Sequence, residues 1–538
     1  MAEPDTRVPR PRPFLQWAIV LWLPFLGYAL LSDTDHLIRF FPDDAFYYLK
    51  TAVNFTRTGL VSFDGVHATN GFHPLNFVLS CALASLTTRS GLLASAFIVD
   101  GLFVFLAAWL AIRHYRLQIL STWRVTLLAL VTLPVFTLFV ILSTGLEAAL
   151  GVFCVVSLFA ACDGAWRIGF SSTRKNVLAG FVFAAVLLAR LDFIISIAPL
   201  AAFLLARMLL AVRAHGSRLR FNGGDHGVHP ALPKSWLRVC IEVFTPPAVL
   251  LSFYLLLNLF WMGRLVPISG YVKGIALGET HSWNPSTRGT IAGLVLAILP
   301  LVSSLVMLAI TVRKRPWLVI AGRHCLVLLN FGNLAFYAYL SWGVSHVFRW
   351  YFSFPIACLL LNLVFFAACA ATASRLWSLK VRVLATCSLS LCLNLAANTA
   401  VLVWIGNRSD STSYHLKKIG DMVNKYGGST AVTGTLDAGV IGYFASGRVI
   451  NLDGLANDFA YVDGYLEPRR LGEYFARSGV THFLVRDGIL VNRTEVIGGR
   501  YEEARVTLDP RLVLRRQNEL FRYEIPRQFS VLFFRLDR

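Results

Sequence analysis

The chain has 538 residues, 56% of them hydrophobic and 15% charged, with a formal net charge of +20. So apolar a composition excludes a soluble globular protein of this length and implies a polytopic α-helical membrane protein. The excess Lys and Arg lie mostly in short loops between apolar runs, the distribution that orients membrane proteins, which argues against a nucleic-acid partner.

Met1 to Pro13 carries Arg7, Arg10 and Arg12 ahead of an apolar run from Phe14 to Leu31 with no small-residue cleavage site behind it. This reads as a retained first helix, not a removed signal peptide. Further long apolar runs fall at about 92–112, 124–142, 146–164, 176–190, 192–210, 239–261, 289–312, 324–341, 350–373 and 382–404, making eleven crossings. The stretch Leu75 to Leu86 is short for a span of about 20 residues. Placing it at the interface puts the basic loops around Arg113, Arg116 and Arg124, around Arg174 and Lys175, at 207–238 and at 313–323 all in the cytoplasm. The loop 32–91 and the end of the chain then face outward. ATP and nucleotide sugars are absent from that face, so group transfer there draws on a donor anchored in the bilayer. All nine cysteines lie in hydrophobic segments without C-x-x-C spacing and read as small buried side chains.

The first outward loop holds the strongest chemical signal. Asp43 and Asp44 follow Pro42 directly, where Asp43 is placed to cap a helix whose apolar face is Phe46, Leu49 and Val53 and whose polar face is Lys50, Asn54 and Arg57. Paired carboxylates beside the membrane suit general-base work, although a helix cap explains either one alone. The loop closes on Thr69-Asn70-Gly71-Phe72-His73-Pro74, a turn in which Asn70 and His73 are substrate-binding candidates. Glu147 stands where two apolar runs meet on the outer side, a costly depth for a carboxylate; a helix-start charge or acceptor binding accounts for it. Arg190 and Asp192 at the next outer turn read as an ion pair. The outward loop 262–288 supplies Tyr271 and Lys273, and a later outward turn His346, Arg349, Trp350 and Tyr351. Cations there hold a lipid phosphate or anchor the interface; Lys273 and Arg349 are the preferred phosphate contacts.

After about residue 405 the long apolar runs stop, which marks an exported α/β domain at 405–538 behind a membrane domain at 1–404. Leu416, Ile419 and Val423 have helical spacing, Thr430–Thr433 and Arg448–Leu452 read as strands, Leu471–Arg477 as helix and Thr481–Arg486 as strand. The glycines of Gly434 to Gly442 miss the dinucleotide-binding spacing, which argues against a Rossmann cofactor site.

The acidic pair after the first helix, the helix that follows, and the runs Asp64 to Pro74, Ser143 to Glu147, Pro267 to Lys273, Arg349 to Phe352 and Gly442 to Gly454 together resemble the GT-C superfamily of membrane glycosyltransferases. The resemblance is to bacterial members related to protein mannosyltransferases and lipid A aminoarabinose transferases. It implies a GT-C-like fold in the bacterial cytoplasmic membrane and an inverting transfer of sugar from a polyprenyl-phosphate carrier to an extracytoplasmic glycan, lipid or protein acceptor. Asp43 becomes the expected base, with Asp44 as its substitute. Relatives that use a divalent metal separate their acidic residues, whereas here the two are adjacent, which favours a metal-free mechanism. The rival reading is a transporter or lipid flippase whose polar residues line a translocation path.

Overall fold

A computed structural model describes residues 22–23, 25–116, 145–168, 170–206, 236–276, 298–302, 305, 321–343, 349–373, 400–491, 495–496 and 500–536. The expected span at 124–142 lies outside the described residues, as do large parts of 14–31, 289–312 and 382–404.

Segment 32–91 folds into α1 (Asp43–Thr58) and α2 (Pro74–Leu86). A bundle follows: α3 (Leu92–Arg116), α4 (Ala148–Arg167), α5 (Thr173–Ala189), α6 (Phe193–Ala206), α7 (Trp236–Met262), α8 (Ile268–Ala276), α9 (Ala321–Gly343) and α10 (Ser353–Ala373). Among the described residues, stretches within α3, α4 and α7 are long and apolar enough to cross a membrane, and α2, α6, α9 and α10 carry shorter apolar stretches. The apolar window of α4 is 72% buried, which makes it the centre on which α3, α5, α9 and α10 pack. That of α7 is only 28% buried, so α7 stands at the periphery with Phe253 and Phe260 turned outward. The 13 residues of α2 extend only about 20 Å, short of a hydrocarbon core of about 30 Å. Val78 and Leu86 of α2 are exposed.

From Thr412 helices and strands alternate: α11 (Thr412–Gly427), β1 (Val432–Thr435), α12 (Ala438–Phe444), β2 (Arg448–Asn451), α13 (Leu471–Ser478) and β3 (His482–Arg486). The strands β4 (Leu490–Val491), β5 (Glu503–Val506), β6 (Asp509–Arg515), β7 (Glu519–Glu524) and β8 (Ser530–Arg535) follow, and a short antiparallel pair, Glu495–Val496 with Arg500–Tyr501, lies between β4 and β5 in the chain. The main sheet has the order β2-β1-β3-β8-β7; its first three strands are parallel, and β8 runs antiparallel to both neighbours. Strands β4, β5 and β6 form a smaller sheet. The expected elements are present, with one shift. Strand β1 starts at Val432 instead of Thr430, because α11 runs on to Gly427 and the chain then turns through Gly428 at φ +73°.

The face of α1 read from helical spacing is buried at Phe46, Leu49 and Val53, while Arg57 is exposed. Asp43, however, does not cap α1, whose N-cap is Pro42. Its carboxylate reaches across to α12 and accepts the N–H groups of Gly439 (3.1 Å) and Val440 (2.7 Å). The spacing of Gly439 and Gly442, wrong for a nucleotide site, serves this contact. A Cβ at Gly439 would lie 2.2 Å from the Asp43 carbonyl oxygen, and one at Gly442 would lie 2.5 Å from the Phe63 ring. Only backbone fits where α12 meets α1 at Gly439 and the Phe63 ring at Gly442.

Gly439→Ala is thus expected to push α12 off α1 and destabilise the protein by about 1–3 kcal/mol, measured as a lower Tm of the purified full chain. Gly464→Ala, whose Cβ meets nothing within 4 Å, should leave Tm unchanged. Equal Tm values for the two variants would contradict the tight seat of α12.

Candidate active site

The start of α1, the turn before α2, the start of α4, the end of α5, α8 and the segment 350–351 converge on one recess. Asp44, Tyr48, His73, Glu147, Arg190, Lys273 and Tyr351 line it, in a cavity of about 50 Å³. A larger cavity of about 590 Å³ opens beside it between α1 and the α/β region; its acidic side chains are Asp43, Asp44, Asp410, Asp437 and Asp453, and Arg39, Arg408 and Arg486 also line it. Asp44, Tyr47 and Trp350 line both spaces.

The recess is built around a buried guanidinium. Arg190, 2% exposed, donates to Glu147 at 2.7 Å and to both oxygens of Asp192 at 3.0 and 2.7 Å. The ion pair expected at Arg190 and Asp192 therefore exists, and Glu147 is its third member. Glu147 stands at the N-terminal end of α4 without capping it. Its other oxygen accepts from the Tyr48 hydroxyl at 3.1 Å, and that hydroxyl in turn accepts the His73 backbone N–H at 3.0 Å. The turn that carries Glu147 is held from within the bundle, where Asp100 accepts the N–H of Gly145. His73 Nδ1 accepts the Leu191 N–H at 3.4 Å, leaving Nε2 to face Glu147 Oε1 at 3.7 Å. Burial lowers the His73 pKa against the opposing pull of Glu147, which favours the neutral ring.

Lys273 donates to the Tyr351 hydroxyl at 3.2 Å. Burial acts to lower its pKa, but Tyr351 and Asp44 outweigh it, the net direction is upward, and the side chain stays an ammonium. The two aspartates differ in setting. Burial and then Asp437 raise Asp43 to about 8, against the N–H groups of Val440 and Gly439. Asp44 is also raised by burial, but Lys273 is the next influence and favours its charged form. Among the described residues no hydrogen bond reaches the Asp44 carboxylate.

The α/β region completes the walls. Tyr47 Oη receives the Asn451 side-chain amide at 3.0 Å and lies 3.4 Å from Asp453 Oδ2. Burial raises Asp453 to about 7, while the Leu455 N–H, at 2.8 Å, favours its charged form. Asp437 is held by Arg486, whose guanidinium covers Phe529. Among the described residues no three His, Cys, Asp or Glu side chains are arranged to hold a metal ion.

Of the residues singled out in the sequence, Asp44, His73, Glu147 and Lys273 meet in the recess, and Asp43 lines the larger cavity. Two do not meet there. Asn70 is 1% exposed and ties the turn to the bundle, donating to Asn258 at 3.2 Å and accepting the Ile268 N–H at 2.9 Å. Tyr271 points the other way from Lys273, to Glu467 at 3.3 Å and under the Arg264 guanidinium at 4.1 Å. His346 and the side chain of Arg349 lie outside the described residues. Tyr47, Tyr48, Asp437 and Asp453 were missed; the aromatic pair next to the aspartates was the available signal for the first two.

No family model matches the chain, and no curated sequence does. Solved structures do resemble it. ArnT from Cupriavidus metallidurans bound to undecaprenyl phosphate superposes with a TM-score of 0.55 at 13% identity, covering 97% of each chain. Its apo form gives 0.53 at 13% identity with the same coverage. The archaeal oligosaccharyltransferase AglB from Archaeoglobus fulgidus, in complex with an inhibitory peptide and a dolichol-phosphate, gives 0.45 at 14% identity, covering 88% of this chain and 69% of its own. Over nearly its whole length the chain shares its fold with these ArnT structures.

Proposed function

We propose that the chain is an inverting membrane glycosyltransferase that moves one sugar from a polyprenyl-phosphate carrier to a hydroxyl of an extracytoplasmic acceptor. The observation that carries this reading is the position of Asp44, at the junction of a cation-bearing recess and a large polar cavity. ArnT, whose fold the chain shares, binds undecaprenyl phosphate; in this reading the recess takes the phosphate of such a donor. Residues 1–404 form the membrane-embedded catalytic part in the bacterial inner membrane, and 405–538 the outer domain that closes over it.

Asp44 is the base in this scheme. It takes the proton of the acceptor hydroxyl, whose oxygen attacks the anomeric carbon as the bond from that carbon to the phosphate oxygen breaks. The products are the glycosylated acceptor, polyprenyl phosphate and a protonated Asp44. Charge grows on the leaving phosphate as the bond breaks, and a fixed cation there stabilises the transition state. Lys273 fills that role: one of its three N–H groups goes to Tyr351, whereas Arg190 is already neutralised by Glu147 and Asp192. Asp43 is the poorer base because both of its oxygens accept backbone N–H groups of α12. A transporter draws no comparable support, since its path needs no carboxylate poised beside a phosphate-sized cation site.

Three outcomes are expected. Asp44→Asn should lower turnover of a polyprenyl-phosphate sugar by about 10²–10⁴-fold, assayed as released polyprenyl phosphate, with Tm retained; full activity would remove the base. Because burial raises the Asp44 pKa and only the ionised form accepts a proton, kcat/KM should fall with decreasing pH at a midpoint above the ~3.9 of a free aspartate. A profile flat down to that value contradicts the assignment. Lys273→Ala should weaken polyprenyl phosphate binding by roughly tenfold or more, the loss of one charge-assisted contact, measured by native mass spectrometry.

A further inference from the structure

Three cations outside the recess lie together without an acid to neutralise them. Phe46, Lys50 and Arg57 follow one another along one face of α1 at helical spacing. Phe46 meets the Tyr443 ring edge-on at 5.3 Å, and the Arg89 guanidinium covers the same ring at 4.8 Å. The Arg89 carbonyl, fixed by the Tyr443 hydroxyl at 2.6 Å, anchors the segment just after α2 to this face. Lys50 is half-buried and faces both Arg89 and Arg57; burial first, then those two charges, pull its pKa down to about 8. The carboxylate that opposes this is Asp64, and it is already engaged: it pairs with the His67 ring at 2.6 Å and accepts the N–H groups of Val66 and His67 at 2.9 and 2.8 Å. Among the described residues Lys50, Arg57 and Arg89 form no ion pair, and Arg89 Nη2 is buried with no hydrogen-bond partner.

Like charges gathered at one place repel, and an orphaned buried N–H carries a desolvation penalty, unless an anion fills the site. Phe55, Val78 and Leu86 are exposed on the adjoining parts of α1 and α2, so the site borders an apolar surface. We propose that Lys50, Arg57 and Arg89 form an anion site for the net-negative phosphate headgroup of an acidic membrane amphiphile, separate from the recess of Lys273. The proposal rests on the interfacial placement of α1 and α2 but not on sugar transfer. A phosphate oxygen would take the Lys50 ammonium and the accessible edge of the Arg89 guanidinium, with Arg57 at the rim.

The test is acylation of Lys50 by acetic anhydride at pH 8, followed by mass spectrometry on the full chain reconstituted in vesicles. Phosphatidylglycerol in the vesicles should slow acylation of Lys50 about tenfold relative to pure phosphatidylcholine, as expected for a well-occupied site. Arg57→Gln, an exposed position, and Arg89→Gln should each reduce that protection, with Tm reporting that the fold is intact. Protection by millimolar inorganic phosphate in phosphatidylcholine would identify a free-phosphate source for the same chemistry; protection by the lipid alone identifies the headgroup. Equal acylation with and without either anion, or full protection in both variants, overturns the site. No arm measures glycosyl transfer, so failure here leaves the proposed reaction untouched.

Discussion

A carboxylate removed from water must be hydrogen-bonded or give up its charge, and Asp43 meets that constraint by reaching into the other half of the molecule. Its partners are the first N–H groups of α12, which lack a cap of their own because Asp437 is turned to Arg486. One side chain thus supplies the cap of a helix nearly 400 residues away and anchors the α/β region to α1. Tyr47, one turn further along α1, adds the Asn451 amide to the same junction. The large cavity exists because of this seam: one wall is α1 and the other is the loop after β1, with Asp437, and the loop after β2, with Asp453.

A second constraint fixes the recess. Arg190 is buried between helices, where an unpaired guanidinium would be strongly unfavourable, and removal of either partner would leave a charge uncompensated. Glu147 and Asp192 satisfy it from the start of α4 and the turn after α5, while Tyr48 and the edge of His73 complete the shell of Glu147. The stacked guanidinium, 4.8 Å above the Tyr351 ring, positions the hydroxyl that holds Lys273. Lys273 is therefore held in place by the fold itself, which is what the role proposed for it at developing charge requires.

The sequence made the acidic pair, the helix after it and the order of elements beyond Thr412 legible, because each rests on local periodicity or on a residue pattern next to an apolar run. Lys273 and Tyr271 could not be told apart as long as 262–288 was read as a loop. Within the helix α8, residues two apart point to different sides, so Lys273 faces Asp44 while Tyr271 packs on Glu467 and Arg264. Asn70 looked like a binding residue because turn asparagines are usually exposed; here its amide satisfies two buried groups of the bundle instead. Asp437 and Asp453 left no local trace, since their nearness to Asp43 and Asp44 is created only by the seat of α12 on α1. The missed signal was the Gly439 and Gly442 spacing, which marks a close backbone approach.

Consecutive residues of a helix are turned by about 100°, and this alone separates two adjacent aspartates into two tasks. Asp43 faces α12 and Asp44 faces Lys273. Asp43 and Asp453 each feel the Asp44 charge across the cavity, so the protons of these three are shared over the group as a whole. Asp43, pushed to about 8, and Asp453, pushed to about 7, are the members whose surroundings most favour the acid form. A proton on either relieves its repulsion with Asp44, whose own neighbour is the Lys273 ammonium. Asp44 is the member that faces Lys273 and carries no hydrogen bond from the described residues. A carboxylate in that state, with its proton affinity raised by burial and its lone pairs unused, is what deprotonation of a hydroxyl demands.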